Sequence, residues 1–198
     1  MVQFIFASFV ATEFVNVDSA KLRKLCDEGE ARIKKNGQSR EGTLDLEHPV
    51  IKQMMEEVTA KFNLVFYQLG YKREMRLEIS HAWSNVGNNL HIDAPHMHPS
   101  SFFSASLYLS DAEMTADAEE CGGLKLISPA PISRLKNIPD IIDDWNAYTS
   151  DSLTIYPQDK KLVIFPSWLM HYVTRNRTNS KRYSIAFDTR LVPAVQQA

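Results

Sequence analysis

The segment HIDAPHMH, from His91 to His98, holds three of the chain's six histidines together with an aspartate. Two pairs in it are spaced by one residue: His91 with Asp93, and His96 with His98. On a β-strand, residues i and i+2 project from one face, so either pair could offer two donor atoms to one metal ion. A third donor must come from elsewhere. His171, in FPSWLMHYV, is the only histidine downstream and follows a β-rich run. Three protein ligands with open positions beside them suit a non-haem Fe(II) that must also hold a co-substrate and dioxygen. The remaining histidines read as structural, His48 at a helix start before Pro49 and His81 within a strand.

Eleven residues beyond His171 comes Arg182, in RYSIAF, with Ser184 two residues later on the same strand face. An arginine fork plus a hydroxyl can bind a carboxylate. Inside a β-barrel such an arginine is an uncompensated charge unless an anion occupies the site. Tyr108, in the strand after the histidine cluster, could add a third donor to that anion.

These residues need a scaffold, and the chain has one of ordinary size. Its 198 residues fit a single domain, 1–198, with 44% hydrophobic and 23% charged residues. The opening MVQFIFASFVATEF reads as a strand, since no positive charge precedes it and Glu13 interrupts it. VDSAKLRKLCDEGEARIKK carries a cap at Asp18/Ser19 and apolar positions at helical spacing. HPVIKQMMEEVTAKFNLVFYQLGY does the same, with Pro49 at its start and Gly70 at its end. Residues 1–73 thus read as a strand plus helical scaffold, and 74–192 as short strands punctuated by Pro, Gly and Asn. A longer insertion, about 131–152, divides two of those strands. The fold class expected is α+β, a jelly roll or barrel closed over a pocket, with supporting N-terminal helices.

A net charge of −2 disfavours stable nucleic-acid binding, and a small molecule or peptide side chain is the favoured substrate class. Cys26 and Cys121 lie far apart with no CxxC spacing, which argues against a disulfide framework or zinc knuckle. No apolar run reaches the ~20 residues of a membrane span. The expected setting is a reducing cytoplasm.

Several runs resemble the 2-oxoglutarate and Fe(II)-dependent oxygenase superfamily, and more narrowly a group of small oxygenases found in phages and marine bacteria. They are Trp83-Ser84-Asn85, His96-Met97-His98-Pro99-Ser100-Ser101, Ser104 to Leu109, Gly122-Gly123-Leu124, Phe165-Pro166-Ser167-Trp168-Leu169-Met170-His171 and Arg182 to Phe187. They fall in order across roughly residues 74–190. The resemblance implies a double-stranded β-helix (cupin-like) with Fe(II) and 2-oxoglutarate as cofactors and dioxygen as co-substrate. It places His96, His98 and His171 on the metal, and Arg182, Ser184 and Tyr108 on the far carboxylate of 2-oxoglutarate. It implies a hydroxylase releasing succinate and CO2. Two features depart from it. Ala105-Ser106 stands where the group has a glycine before its tyrosine. The wider superfamily also opens its ligand set with His-x-Asp/Glu, which His91-Ile92-Asp93 would match. The spacing from Trp83 and the Pro-Ser after His98 favour His96/His98. A three-histidine cupin-type dioxygenase or isomerase without 2-oxoglutarate, and a non-catalytic jelly-roll binding protein, are the rival readings.

Overall fold

Side-chain alternation in the last strand organises the molecule. In β9 (Arg182–Pro193) the odd residues Tyr183, Ile185 and Phe187 pack in one apolar core, while the even residues Arg182, Ser184 and Ala186 line a cavity and Asp188 follows at the same parity. The computed structural model describes residues 8–36, 43–87, 93–110, 121–129, 142, 143, 146 and 149–194. Two antiparallel sheets form within them. The larger runs in the order β1 (Ala11–Phe14), β7 (Lys161–Pro166), β4 (Phe103–Tyr108), β9 and β2 (Met75–Gly87). The smaller runs β3 (Asp93–His96), β8 (His171–Val173), β5 (Leu124–Ile127) and β6 (Ser152–Ile155). This is the jelly roll expected from the short-strand pattern.

Helix α1 (Ser19–Asn36) starts where the Asp18 carboxylate accepts the Lys21 N–H at 3.1 Å. Helix α2 (Pro49–Gln68) starts at His48, whose Nδ1 accepts the Val50 N–H at 3.2 Å. Pro49 loses nothing in the first turn, where its missing N–H would have no helical partner. Gly70, at φ +86°, closes the helix in a conformation that a side chain would strain. The apolar stripe Ile51, Met54, Val58, Phe62, Val65 and Phe66 is buried in the same core as Ile185 and Phe187. Each fully buried side chain of this kind contributes about 1.5–3 kcal/mol, which holds the helix against that face of the sheet.

A second, smaller core of Tyr108, Leu124, Leu126, Val163, Phe165 and Leu169 lies in the cavity side of the fold. Register fixes the polar stripe beside it: Ser104 pairs with Asp188, Ser106 with Ala186 and Tyr108 with Ser184. The opening strand begins at Ala11, and residues 1–7 of its expected span lie outside the described residues. So does most of the 131–152 insertion. Among the described residues no helix is long and apolar enough to cross a membrane.

Candidate metal and co-substrate site

His96, the last residue of β3, sits directly opposite His171, the first of β8. His98 lies two residues past the end of β3, so His96 and His98 are not the in-strand pair that their spacing suggests. The residue before a proline keeps an extended backbone, and Pro99 follows. His98 therefore continues along the strand direction and donates its N–H to the Ser167 carbonyl at 2.8 Å. The three rings converge, with centroids 5.1 Å apart for His96/His98, 4.4 Å for His96/His171 and 5.2 Å for His98/His171. One donor nitrogen from each lies within 4.8 Å of the others.

The tautomers follow from the hydrogen bonds. Nδ1 of His96 is 2.7 Å from the Ala94 carbonyl, Nδ1 of His171 is 2.8 Å from the Leu169 carbonyl, and Nδ1 of His98 is 2.8 Å from Asp188 Oδ2. Carbonyls and carboxylates only accept, so each Nδ1 carries a proton, and the neutral form of each ring has its lone pair on Nε2. Burial pushes the His171 imidazole down to about 4, against the opposing Leu169 hydrogen bond. It is neutral at pH 7, the form that ligates a metal.

Asp188 is itself held. Its Oδ1 accepts from Ser104 Oγ at 2.6 Å, and Ser104 Oγ is 2.8 Å from Ser167 Oγ. Burial would raise the Asp188 carboxyl, but hydrogen bonds from His98, Ser104 and Ser101 outweigh it and hold the group below its ordinary range. Aromatic rings brace two of the histidines: Trp83 stacks on His98 at 5.7 Å, and Phe165 meets His171 edge-on at 4.7 Å.

At the other end of the cavity, Arg182 is 5% exposed. Its chain lies against Gly122, where an added Cβ would fall 3.1 Å from Arg182 Cδ; Gly122 also has φ +71°. Ser184 is buried beside it. The Tyr108 hydroxyl accepts the Leu124 N–H at 3.2 Å and lies 3.5 Å from the Ile155 carbonyl, so it would turn from that carbonyl to serve an anion. Burial pushes the Tyr108 phenol up to about 12, with the Arg182 charge opposing, which keeps it a neutral donor. Arg182 Nη2 lies 3.9 Å from Asp93 Oδ2, an ion pair joining the two sheets.

His96, His98, His171, Arg182, Ser184 and Tyr108, read from the sequence as site residues, all line this one cavity. His91 lies outside the described residues. Asp93 is described and sits with Arg182; the metal-competent group among the described residues comprises the three histidines. Sequence reasoning missed Asp188, Ser104 and Ser167. A signal for the first was present, because Asp188 shares the parity of Arg182 and Ser184 in an otherwise apolar strand.

A family model described as "Putative 2OG-Fe(II) oxygenase" matches residues 81–188, more than half of the chain. No curated protein sequence matches it. Solved structures share the fold. A Pseudomonas putida prolyl-4-hydroxylase is 16% identical, with a TM-score of 0.56 over 91% of this chain and 86% of its own. AviO1 from Streptomyces viridochromogenes Tue57 is 11% identical, with a TM-score of 0.62 over 96% of this chain and 91% of its own. The alpha-ketoglutarate-dependent epimerase SnoN from nogalamycin biosynthesis is 13% identical, with a TM-score of 0.59 over 92% of this chain and 78% of its own.

Proposed function

The chain belongs to the 2OG-Fe(II) oxygenase family, and from that premise we propose that it is a dioxygenase in which His96, His98 and His171 hold the Fe(II) and Arg182, Ser184 and Tyr108 hold 2-oxoglutarate. The whole chain, 1–198, acts as one domain in this reading. The observation that carries it is the set of three imidazoles whose Nδ1 atoms are all engaged in hydrogen bonds, with one donor atom of each ring within 4.8 Å of the others. Three nitrogen donors with open positions beside them fit a first-row divalent ion. The bound iron supplies the oxidative chemistry, in which dioxygen converts 2-oxoglutarate to succinate and CO2 and oxidises the substrate.

The protein's own part is positional. Leu169, Ala94 and Asp188 fix the imidazole tautomers. With no carboxylate among the three proposed ligands, Asp188 brings a negative charge towards the metal one hydrogen bond further out. Arg182 offers a fork to the far carboxylate, and Ser184 a hydroxyl from the same strand face. Asp93 and His96 are three residues apart on β3, and their β8 partners Val173 and His171 are two apart. That separates the arginine end from the histidine end by roughly 7 to 10 Å of strand. A five-carbon diacid attached at both ends suits such a span.

Hydroxylation of a small molecule or peptide side chain is the proposed outcome, recognised as a gain of one oxygen atom in the product. The fold neighbours include a prolyl-4-hydroxylase and an epimerase, so product analysis decides between outcomes. The decisive experiment adds Fe(II) and then 2-oxoglutarate without oxygen and looks for the visible band of the chelate. Oxygen is then admitted and succinate measured. No band and no succinate would overturn the proposal. His96→Ala and His171→Ala are expected to abolish the band while His91→Ala keeps it; the reverse would move the ligands to His91 and Asp93.

A further inference from the structure

The cavity already contains a carboxylate in the place assigned above to the co-substrate's far end. Asp93 Oδ2 lies 3.9 Å from Arg182 Nη2, beyond direct hydrogen bonding and at the outer edge of ion-pair range. Arg182 is 5% exposed on its side chain and Asp93 18%, so solvent screens this pair only partly. They arrive from different sheets, Asp93 at the start of β3 and Arg182 at the start of β9. Both line the cavity that also holds the histidines. Gly122 and the strand register leave Arg182 little freedom to move, whereas Asp93 is the first residue of a short edge strand with a register shift before His96.

We propose that Asp93 is the resident counter-ion of Arg182 and competes with 2-oxoglutarate for it, lowering the affinity of the site for every carboxylate ligand by a common factor. The inference rests on the reading of Arg182 as the carboxylate anchor. A buried guanidinium needs an anion, and here the fold supplies one before the ligand arrives. An incoming carboxylate must displace Asp93 or share the guanidinium with it, and two carboxylates on one guanidinium repel. Every ligand that enters through a carboxylate meets this same opposition. A ligand that also chelates the metal overcomes it through its second attachment, while one that cannot chelate stays weak. Asp93 thereby pushes simple dicarboxylates, the succinate product included, into the weak-binding range, while a 2-oxo acid held also by the metal stays bound.

The test is calorimetric binding rather than turnover. 2-Oxoglutarate is titrated into Ni(II)-loaded protein, and glutarate, which lacks the 2-oxo group, into metal-free protein. Asp93→Asn keeps the shape and removes the charge. It is expected to tighten both ligands by a similar factor of about ten, as for a partly buried charge contact. Arg182→Ala should weaken 2-oxoglutarate at least tenfold. If it does not, the anchor reading itself fails. If Arg182→Ala weakens binding but Asp93→Asn leaves both ligands unchanged or weaker, Arg182 is the anchor and the competitor role is overturned. Loss of Ni(II) binding in Asp93→Asn would also overturn it, by making Asp93 a ligand. A thermal melt of each variant confirms folding, and Asp93→Glu, which restores the charge, should return both affinities towards wild type.

Discussion

Replacing Asp188 tests whether the histidine cluster is organised for metal or merely packed. In wild type the Asp188 carboxylate accepts His98 Nδ1–H at 2.8 Å and Ser104 Oγ–H at 2.6 Å. Alanine removes both acceptors and leaves the His98 imidazole free to rotate or change tautomer. Asparagine keeps an acceptor oxygen but not the charge. A charge-assisted hydrogen bond of this kind contributes about 1.5–3 kcal/mol, which matches the ten- to hundredfold fall in metal affinity typical when a ligand's supporting carboxylate is lost. Co(II) titration in competition with a chelator is expected to show that fall in Asp188→Ala and a smaller one in Asp188→Asn. Nitrogen NMR of the metal-free protein should show His98 in the Nδ1–H tautomer in wild type and a mixture in Asp188→Ala. A variant that loses thermal stability yet keeps wild-type Co(II) affinity would refute the reasoning, because Asp188 would then be part of the packing only.

Acid should destabilise the metal-free protein. The folded-state pKa of His171 is lowered to about 4, below the ~6.5 of an unfolded chain, so protons bind the unfolded state first. Stability is therefore full above pH ~6.5 and is lost as pH falls towards about 4, by on the order of 3 kcal/mol from this residue, measurable by urea denaturation with a chelator present. Gly29→Ala would ordinarily strengthen a helix by about 1 kcal/mol. Here the new Cβ would fall 1.8 Å from the Thr43 carbonyl oxygen, and an overpacking cost of about 1–3 kcal/mol or more wins, so the melting temperature should fall. Tyr183→Phe removes a 2.9 Å bond to Asp27 that ties β9 to α1, and should cost about 1 kcal/mol in denaturation while leaving metal affinity unchanged.

Much of the fold was legible because its signals are local. Pro49 and Gly70 bound α2 almost where the helix starts and ends, and the apolar spacing between them names the buried face. The downstream strands were readable from β-rich runs between Pro, Gly and Asn. What the sequence could not supply was pairing. That His96 faces His171 depends on β3 lying beside β8, a contact between segments 75 residues apart in the chain. Parity arguments reached Arg182 and Ser184 but passed over Asp188, four residues further along the same face, because an aspartate in a strand reads equally as a solvent-facing residue. Its burial only becomes apparent when Ser104 and His98 are seen to meet it. His91-Ile92-Asp93 reads as a ligand pair from its spacing and from the superfamily's His-x-Asp/Glu pattern, whereas the proximity of Asp93 to Arg182 is a tertiary fact.

The alternation in β9 also limits how this protein can change over evolutionary time. The proposed anchor Arg182 and the His98 partner Asp188 share one parity of a single strand, and the residues packed in the core with the helices have the other. Inserting or deleting one residue between 182 and 188 would turn Arg182 or Asp188 into the helix-packing core and present phenylalanine or isoleucine to the metal end. A point substitution within β9 alters one contact, whereas a length change moves every residue beyond it to the other face. β9 is therefore a strand in which length, more than any one side chain, is constrained.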